Sequence, residues 1–318
     1  MDWEALEEWL QQSRIGRWQT MAPLSAHTSW KIGGPARLMV WPQGEEQLAR
    51  LLQVCDQRAV PLRFLGAGTN LLVADEGVDA VVAHTGALRQ SFWEEAAPDR
   101  DEASCAEESP GTAAAVTAGA GLPLAWVAEE AAARGLCGME FAAGIPGSFG
   151  GALVMNAGAY GGQMSDIVES VRVMDRQGSI RTLDKPEIGY GYRTSSLKLS
   201  DDLVLSARLR LYPGSRERIR SVMREHLQAR RAGQPLDLPS GGSVFRNPRG
   251  EGAGRFIEQA GLKGLRVGNA QISPKHANFI VNLGGAKAKD VIALMEIAER
   301  EVLGRFGVAL DREVIYWR

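Results

Sequence analysis

The stretch Pro61-Leu62-Arg63-Phe64-Leu65-Gly66-Ala67-Gly68-Thr69-Asn70-Leu71-Leu72 decides the fold class. Its first five residues read as a short apolar strand that runs straight into a turn with glycine at positions 66 and 68. Upstream, Ala36-Arg37-Leu38-Met39-Val40-Trp41 reads as another strand, and the periodic run over residues 45–58 as the helix between them. Strand, helix and strand followed by a glycine turn make a βαβ unit, and open α/β sheets bind ligands at that carboxyl end. A turn without Cβ atoms lets a phosphate approach and meet backbone N–H groups. This turn is not a Rossmann fingerprint, because Leu71 stands where the third glycine would be. It is not a Walker loop either, because no Gly-Lys-Ser/Thr follows.

Two further glycine clusters extend the pattern. Gly144-Ile145-Pro146-Gly147-Ser148-Phe149-Gly150-Gly151-Ala152 continues into Asn156-Ala157-Gly158-Ala159-Tyr160-Gly161-Gly162. Paired with the Gly66 turn, it can cradle a pyrophosphate, with Ser148 and Asn156 adding side-chain donors. The alternative is that these glycines only make turns and close helix–strand contacts. The third cluster, Ser240-Gly241-Gly242-Ser243-Val244-Phe245-Arg246-Asn247-Pro248, places a serine hydroxyl in flexible backbone beside a cation and a carboxamide. Ser243 there is a nucleophile, a proton donor or a plain turn residue. The missing Gly-x-Ser-x-Gly elbow weakens the hydrolase reading.

The remaining elements alternate. Residues 3–12 form an amphipathic helix, 115–118 a strand, 122–134 a helix, and 168–174 with 180–183 a hairpin about Arg176-Gln177-Gly178. A strand over 203–211 is followed by Pro213-Gly214 and a charged helix over 216–231, which marks the domain boundary. A strand at 279–282, a helix at 288–304 and a last strand at 313–317 complete the chain. Residues 94–111, crowded with Asp and Glu, read as a solvated acidic loop and not as a metal site, since no histidine interleaves the acids.

The 318 residues carry 36 Lys+Arg against 38 Asp+Glu, a formal net charge of −2 that argues against a general nucleic-acid coat or a polybasic membrane binder. No apolar run approaches the roughly 20 residues of a bilayer span, and the acidic amino terminus is not a secretory signal. Cys55, Cys105 and Cys137 show neither disulfide nor zinc spacing. These features point to a cytoplasmic protein. The 37 glycines exceed the usual share of about 7% without any collagen period, so they need a cause.

The ordered series Thr28-Ser29-Trp30-Lys31-Ile32-Gly33-Gly34-Pro35-Ala36, Gly66-Ala67-Gly68-Thr69-Asn70, Gly144-Ile145-Pro146-Gly147-Ser148, Gly191-Tyr192-Arg193-Thr194-Ser195, Gly242-Ser243-Val244-Phe245-Arg246-Asn247-Pro248 and Gln271-Ile272-Ser273-Pro274-Lys275-His276-Ala277-Asn278-Phe279 resembles one family. That family is the UDP-N-acetylenolpyruvoylglucosamine reductases of peptidoglycan precursor synthesis, in their shorter type II branch. The resemblance runs from about residue 24 to the carboxyl terminus.

It implies an α+β chain in three segments. Residues 1–31 are a lead-in, and residues 32–213 a two-subdomain FAD-binding fold of the vanillyl-alcohol-oxidase (PCMH) type. Residues 214–318 are a smaller α+β substrate-binding domain whose last strand returns toward the FAD domain. The implied cofactors are non-covalent FAD and NADPH as hydride donor, with no metal, and the partner is a small-molecule UDP-sugar.

The resemblance further implies site residues. FAD contacts fall on Gly33, Gly34, Gly66, Ala67, Gly68, Thr69, Asn70, Leu71, Gly144, Ile145, Pro146, Gly147 and Ser148. Substrate contacts fall on Tyr192, Asn247 and Gln271, and catalysis on Arg193, Ser243 and Glu313. His276, without an acid partner, reads as a packing histidine. Two other functions stay open at this level: another flavin oxidoreductase on the same fold, and a non-catalytic binder of UDP-sugars or nucleotides.

Overall fold

The structure is a computed structural model that describes residues 3–94, 113–248 and 251–318. Apart from Glu94, the expected acidic loop lies outside the described residues, as does Cys105.

The chain folds into two compact units, both discontinuous. The first comprises Met1–Gln19, Met39–Ala67 and Val81–Ala229, and the second Thr20–Leu38, Gly68–Ala80 and Arg230–Arg318. The sequence reading cut the chain into consecutive segments instead. The difference has a physical cause: segments far apart in sequence share the second unit's core, where Trp30, Ile32 and Leu72 join Val244, Phe245, Ile280 and Val291.

Strands Arg17–Pro23, Pro35–Trp41, Val78–His84 and Leu62–Leu65 lie in that order in one sheet. The expected βαβ unit is there, with helix Glu45–Gln57 as its crossover, but its two strands are not neighbours. Val78–His84, which sequence reading left unassigned, lies between them and pairs in parallel with Leu62–Leu65, Leu62 opposite Val81 and Leu65 opposite His84.

The larger sheet of the first unit is antiparallel, in the order Ile180–Asp184, Val168–Met174, Leu203–Pro213, Ala114–Gly119 and Ser91–Trp93. Leu136–Cys137 pairs with the far end of Leu203–Pro213. The expected hairpin forms with Met174 opposite Ile180. Its turn closes because Asp175 Oδ1 accepts from the N–H groups of Gln177 and Ser179, and Gly178 takes a φ of +82°.

In the second unit, strands Ser240–Ser243, Phe279–Asn282, Ala270–Ile272 and Arg266–Val267 form a sheet in that order, accompanied by helices Ala253–Gln259 and Ala288–Phe306. The Asp75 carboxylate accepts from the N–H groups of Ala288 and Lys289 and so caps the longer helix from 213 positions upstream. Ile315–Trp317 pairs in parallel with Leu71–Val73.

Cys55 is 1% exposed on helix Glu45–Gln57, beside a small cavity that it lines with Leu52, Val60 and Phe64. Burial pushes its thiol up to about 12, against the opposing pull of Arg58. At pH 8 very little of Cys55 is therefore thiolate, the form that alkylates. Iodoacetamide at pH 8 is expected to leave Cys55 unmodified in the native protein and to label it in urea, as read by peptide mass mapping. Rapid native labelling would contradict the buried placement.

Candidate active site

The first unit holds Gly66 and Ala67, the Gly144–Ser148 turn, and the Tyr192–Arg193 turn. A Cβ built on Gly66 would collide with the Ser148 hydroxyl, so the Ser148 side chain packs directly on the Gly66 backbone and the two glycine turns meet there. Gly144 and Gly147 take φ of +72° and +135°, values that a side chain would strain. Gly147 O accepts from Leu124 N at 3.0 Å, which fixes this turn against the start of helix Leu124–Ala133. Small, uncharged, backbone-forward surfaces of this kind suit a flavin pyrophosphate, and the residues fit FAD on that ground.

Ser148 also caps the short helix Phe149–Met155, its Oγ accepting from Gly151 N at 3.3 Å. That helix was not expected, because Gly150-Gly151 reads as loop. It forms because Gly150 packs against Ala120, where a Cβ would lie 2.7 Å from the Ala120 Cβ.

Asn156 ends the helix in left-handed conformation at 1% exposure. Its carboxamide donates to Gly191 O at 3.0 Å and Gln163 Oε1 at 3.2 Å, and accepts from Ser165 N at 2.9 Å. The sequence reading offered Asn156 as a phosphate donor. The structure spends both ends of the carboxamide inside the protein, where they tie the helix to the turn that carries Arg193. Asn156→Ala removes these three bonds and leaves buried groups unmatched, at about 1–3 kcal/mol. Urea denaturation is expected to show that loss, and a change below about 0.5 kcal/mol would contradict it.

Gly191 and Thr194 exchange backbone hydrogen bonds, which puts Tyr192 and Arg193 at the tip of a two-residue turn. Arg193 takes a φ of +55°, the position where such a turn favours glycine. Holding an arginine there costs about 1–2 kcal/mol. The turn is clamped from the other side by Ser195, whose hydroxyl donates to Val154 O at 2.7 Å. The Arg193 guanidinium donates to Gly158 O at 2.6 Å and stands 5.1 Å from the centre of the Tyr192 ring. Tyr192 is half exposed.

The second unit holds the other predicted residues. A Cβ on Gly68 would strike the His27 carbonyl, and one on Gly34 the backbone of Asp75 and Gly77. Gly33, at φ +136°, packs against Val73. Ser29 joins the Gly68 turn to the serine strand: its N–H donates to Gly68 O at 3.1 Å and its hydroxyl to Ser240 O at 2.6 Å. Nothing local to the motif over residues 28–36 signals this role, because both partners of Ser29 lie far along the chain.

Ser243 ends strand Ser240–Ser243 opposite Phe279, after an irregularity in register. The two glycines before it differ in purpose. Gly241 makes room for the Trp30 ring, which a Cβ would approach to 2.5 Å. Gly242 has open space and instead needs its φ of +78°.

Glu313 is brought beside this strand, since its N–H donates to Val244 O at 2.8 Å. Its own carbonyl accepts from the Asn70 carboxamide at 3.2 Å, and Ile315 N donates to Asn70 O. Thr69 and Leu71 flank Asn70, so the predicted turn and two predicted catalytic residues share one backbone network. Asn247 Oδ1 accepts from Ala253 N, and Gln271 Nε2 donates to Gly264 O at 2.9 Å. His276 packs edge-on against Phe279, its centroid 4.9 Å away, and burial lowers its pKa. Among the described residues no group of three or more His, Cys, Asp or Glu is poised for a metal, and no helix is long and apolar enough to cross a membrane.

Residues 36–184 match the FAD binding domain, and residues 234–317 match the UDP-N-acetylenolpyruvoylglucosamine reductase C-terminal domain. The chain is 44% identical to the UDP-N-acetylenolpyruvoylglucosamine reductase of Heliobacterium modesticaldum over 300 residues, which covers 94% of this chain and 90% of that one. The chain belongs to the UDP-N-acetylenolpyruvoylglucosamine reductase family. A second relative, reductase 2 of Symbiobacterium thermophilum, is 45% identical over 95% of this chain and 92% of its own. The crystal structure of the Thermus caldophilus reductase superposes with a TM-score of 0.76 at 37% identity, covering 95% of this chain and 98% of that one. The α+β FAD-binding fold expected from sequence is thus the fold observed, and the family member is an FAD-dependent oxidoreductase with FAD and NADPH as cofactors.

Proposed function

We propose that the protein reduces UDP-N-acetylenolpyruvoylglucosamine to UDP-N-acetylmuramate at the expense of NADPH, in the cytoplasm. The reading is carried by the family match together with an arginine, a serine and a glutamate of the motifs set on constrained backbone. Bound FAD would supply the hydride chemistry that connects NADPH oxidation to reduction of the enolpyruvyl ether. Gly33, Gly34, Gly66–Leu71 and Gly144–Ser148 are the residues that would hold it.

Hydride arrival leaves negative charge on the substrate's α-carbon and its carboxylate. The Arg193 guanidinium meets that carboxylate with a planar pair of N–H donors and favours the charge-rich state over the ground state. Its strained turn keeps the guanidinium from relaxing elsewhere. The Ser243 hydroxyl delivers the proton to the α-carbon from one face. A serine is a weak acid, but a carbanion is basic enough to take its proton. Glu313, one backbone bond from the residue after Ser243, orders the proton path. Tyr192, Asn247 and Gln271 hold the UDP-sugar, the last two within residues 214–318.

The purified protein is expected to be yellow, to release FAD on denaturation, and to oxidise NADPH stoichiometrically with added UDP-N-acetylenolpyruvoylglucosamine. A colourless protein that FAD cannot reconstitute would overturn the reading. So would turnover that ignores the UDP-sugar.

A further inference from the structure

The Arg193 guanidinium does not find its place alone. Its acceptor, Gly158 O, belongs to a ribbon of two very short strands, Gly158–Ala159 and Gly162–Gln163, with Ala159 opposite Gly162. A ribbon of this length has little stability of its own in water. Its base is held by Asn156, which bonds the Gln163 side chain. Its tip is the two-residue turn Tyr160-Gly161, with φ of +53° and +88°. Positive φ at both central residues is the type I′ pattern, whose first position favours asparagine, aspartate or glycine. A tyrosine there holds a strained backbone.

The ring offsets that strain. Tyr160 stacks on His226 of helix Arg216–Gly233 with centroids 4.1 Å apart and planes 7° from parallel. Its hydroxyl donates to the His226 carbonyl at 2.9 Å, and His226 Nδ1 lies 3.1 Å from Glu140 O. Tyr160 nevertheless remains 44% exposed, so it contributes little to the core. A strained, exposed tyrosine fastened at ring and hydroxyl, on the ribbon whose carbonyl holds Arg193, is a device for fixing that ribbon.

We infer that Tyr160 and His226 are positioning residues for Arg193: their stack holds the Gly158 carbonyl where it aims the guanidinium at the substrate carboxylate. The inference rests on the proposed role of Arg193. Losing the stack should therefore weaken the half-reaction that uses the enolpyruvyl substrate and spare the one that uses NADPH.

The test is stopped-flow measurement of both half-reactions in holoenzyme variants, with thermal melting as the check on folding. Tyr160→Ala and His226→Ala are each expected to slow flavin reoxidation by the UDP-sugar about 10-fold, with NADPH-driven reduction within 2-fold of wild type. Tyr160→Phe keeps the stack and should recover most of the rate. Tyr160→Ala added to Arg193→Ala should cause no further loss, because it acts through the arginine.

Failure of Arg193→Ala to slow reoxidation overturns the role of Arg193 and this inference with it. A severe Arg193→Ala defect with a neutral Tyr160→Ala, or with fully additive losses in the double variant, overturns this inference alone. Equal losses in both half-reactions, or a Tyr160→Phe variant as slow as Tyr160→Ala, also overturn it.

Discussion

Ser243→Ala is expected to leave NADPH-driven flavin reduction within about 2-fold of wild type and to slow reoxidation by the UDP-sugar by about 10²–10⁴-fold, the usual span for loss of a general acid. The backbone gives reason to expect so clean a separation. Ser243 pairs with Phe279 through main-chain groups, and the left-handed glycine that shapes the turn is Gly242, one residue earlier. Alanine keeps all of this and removes only the hydroxyl. In deuterium oxide, the residual product of the variant should also lose stereospecific labelling at the α-carbon, since water would then deliver the proton from either face. A variant impaired equally in both half-reactions would assign Ser243 to binding or folding. A variant near wild-type reoxidation would remove it from the chemistry.

The largest stability loss is expected at Trp30. The ring is fully buried, its Nε1–H donates to Ile280 O at 2.7 Å, and its own carbonyl accepts from Asn282 Nδ2 at 2.9 Å. Trp30→Ala forfeits the buried indole at about 3–5 kcal/mol and leaves the Ile280 carbonyl without its donor. Against a total stability of about 5–15 kcal/mol, that brings the second unit close to unfolding. Trp30→Phe should cost clearly less, since it keeps most of the volume and loses the N–H. Urea titrations of the two variants check the order, and a Trp30→Ala loss below about 1 kcal/mol would refute the packing role. Gly241 supplies a complementary probe, because its missing side chain is the space the indole occupies. A Gly241→Val chain should be destabilised by overpacking at the same spot.

Much of the first unit is visible in sequence because its determinants are local. The hairpin about Gly178 and the helix Glu45–Gln57 follow from alternation, periodicity and turn chemistry within a dozen residues. Helix Phe149–Met155 escaped such reading, for its glycines have poor helix propensity and its stability comes from Ser148 and from contact with Ala120. The role of Asn156 escaped for a related reason: its bond to Gly191, 35 positions away, is set by tertiary folding. The candidate site was legible as an ordered set of motifs. That Glu313 bonds beside Ser243, or that Trp30 explains Gly241, could not be read, because each joins positions far apart in the chain.

The parallel pairing of Leu71–Val73 with Ile315–Trp317 sets a timetable for synthesis. Asn70 and Glu313, joined through that pairing, stand 243 positions apart. A nascent chain must therefore carry the Gly68 turn and the Trp30 segment with their partners still unmade while most of the first unit is already out of the ribosome. Glu313 reaches Val244 only once translation has passed it, so the backbone network that joins it to Asn70 closes after the segments it joins have been made. A stalled or shortened product would leave the apolar segment around Trp30 without its core partners Val244, Phe245 and Ile280, the kind of surface that chaperones and proteases recognise.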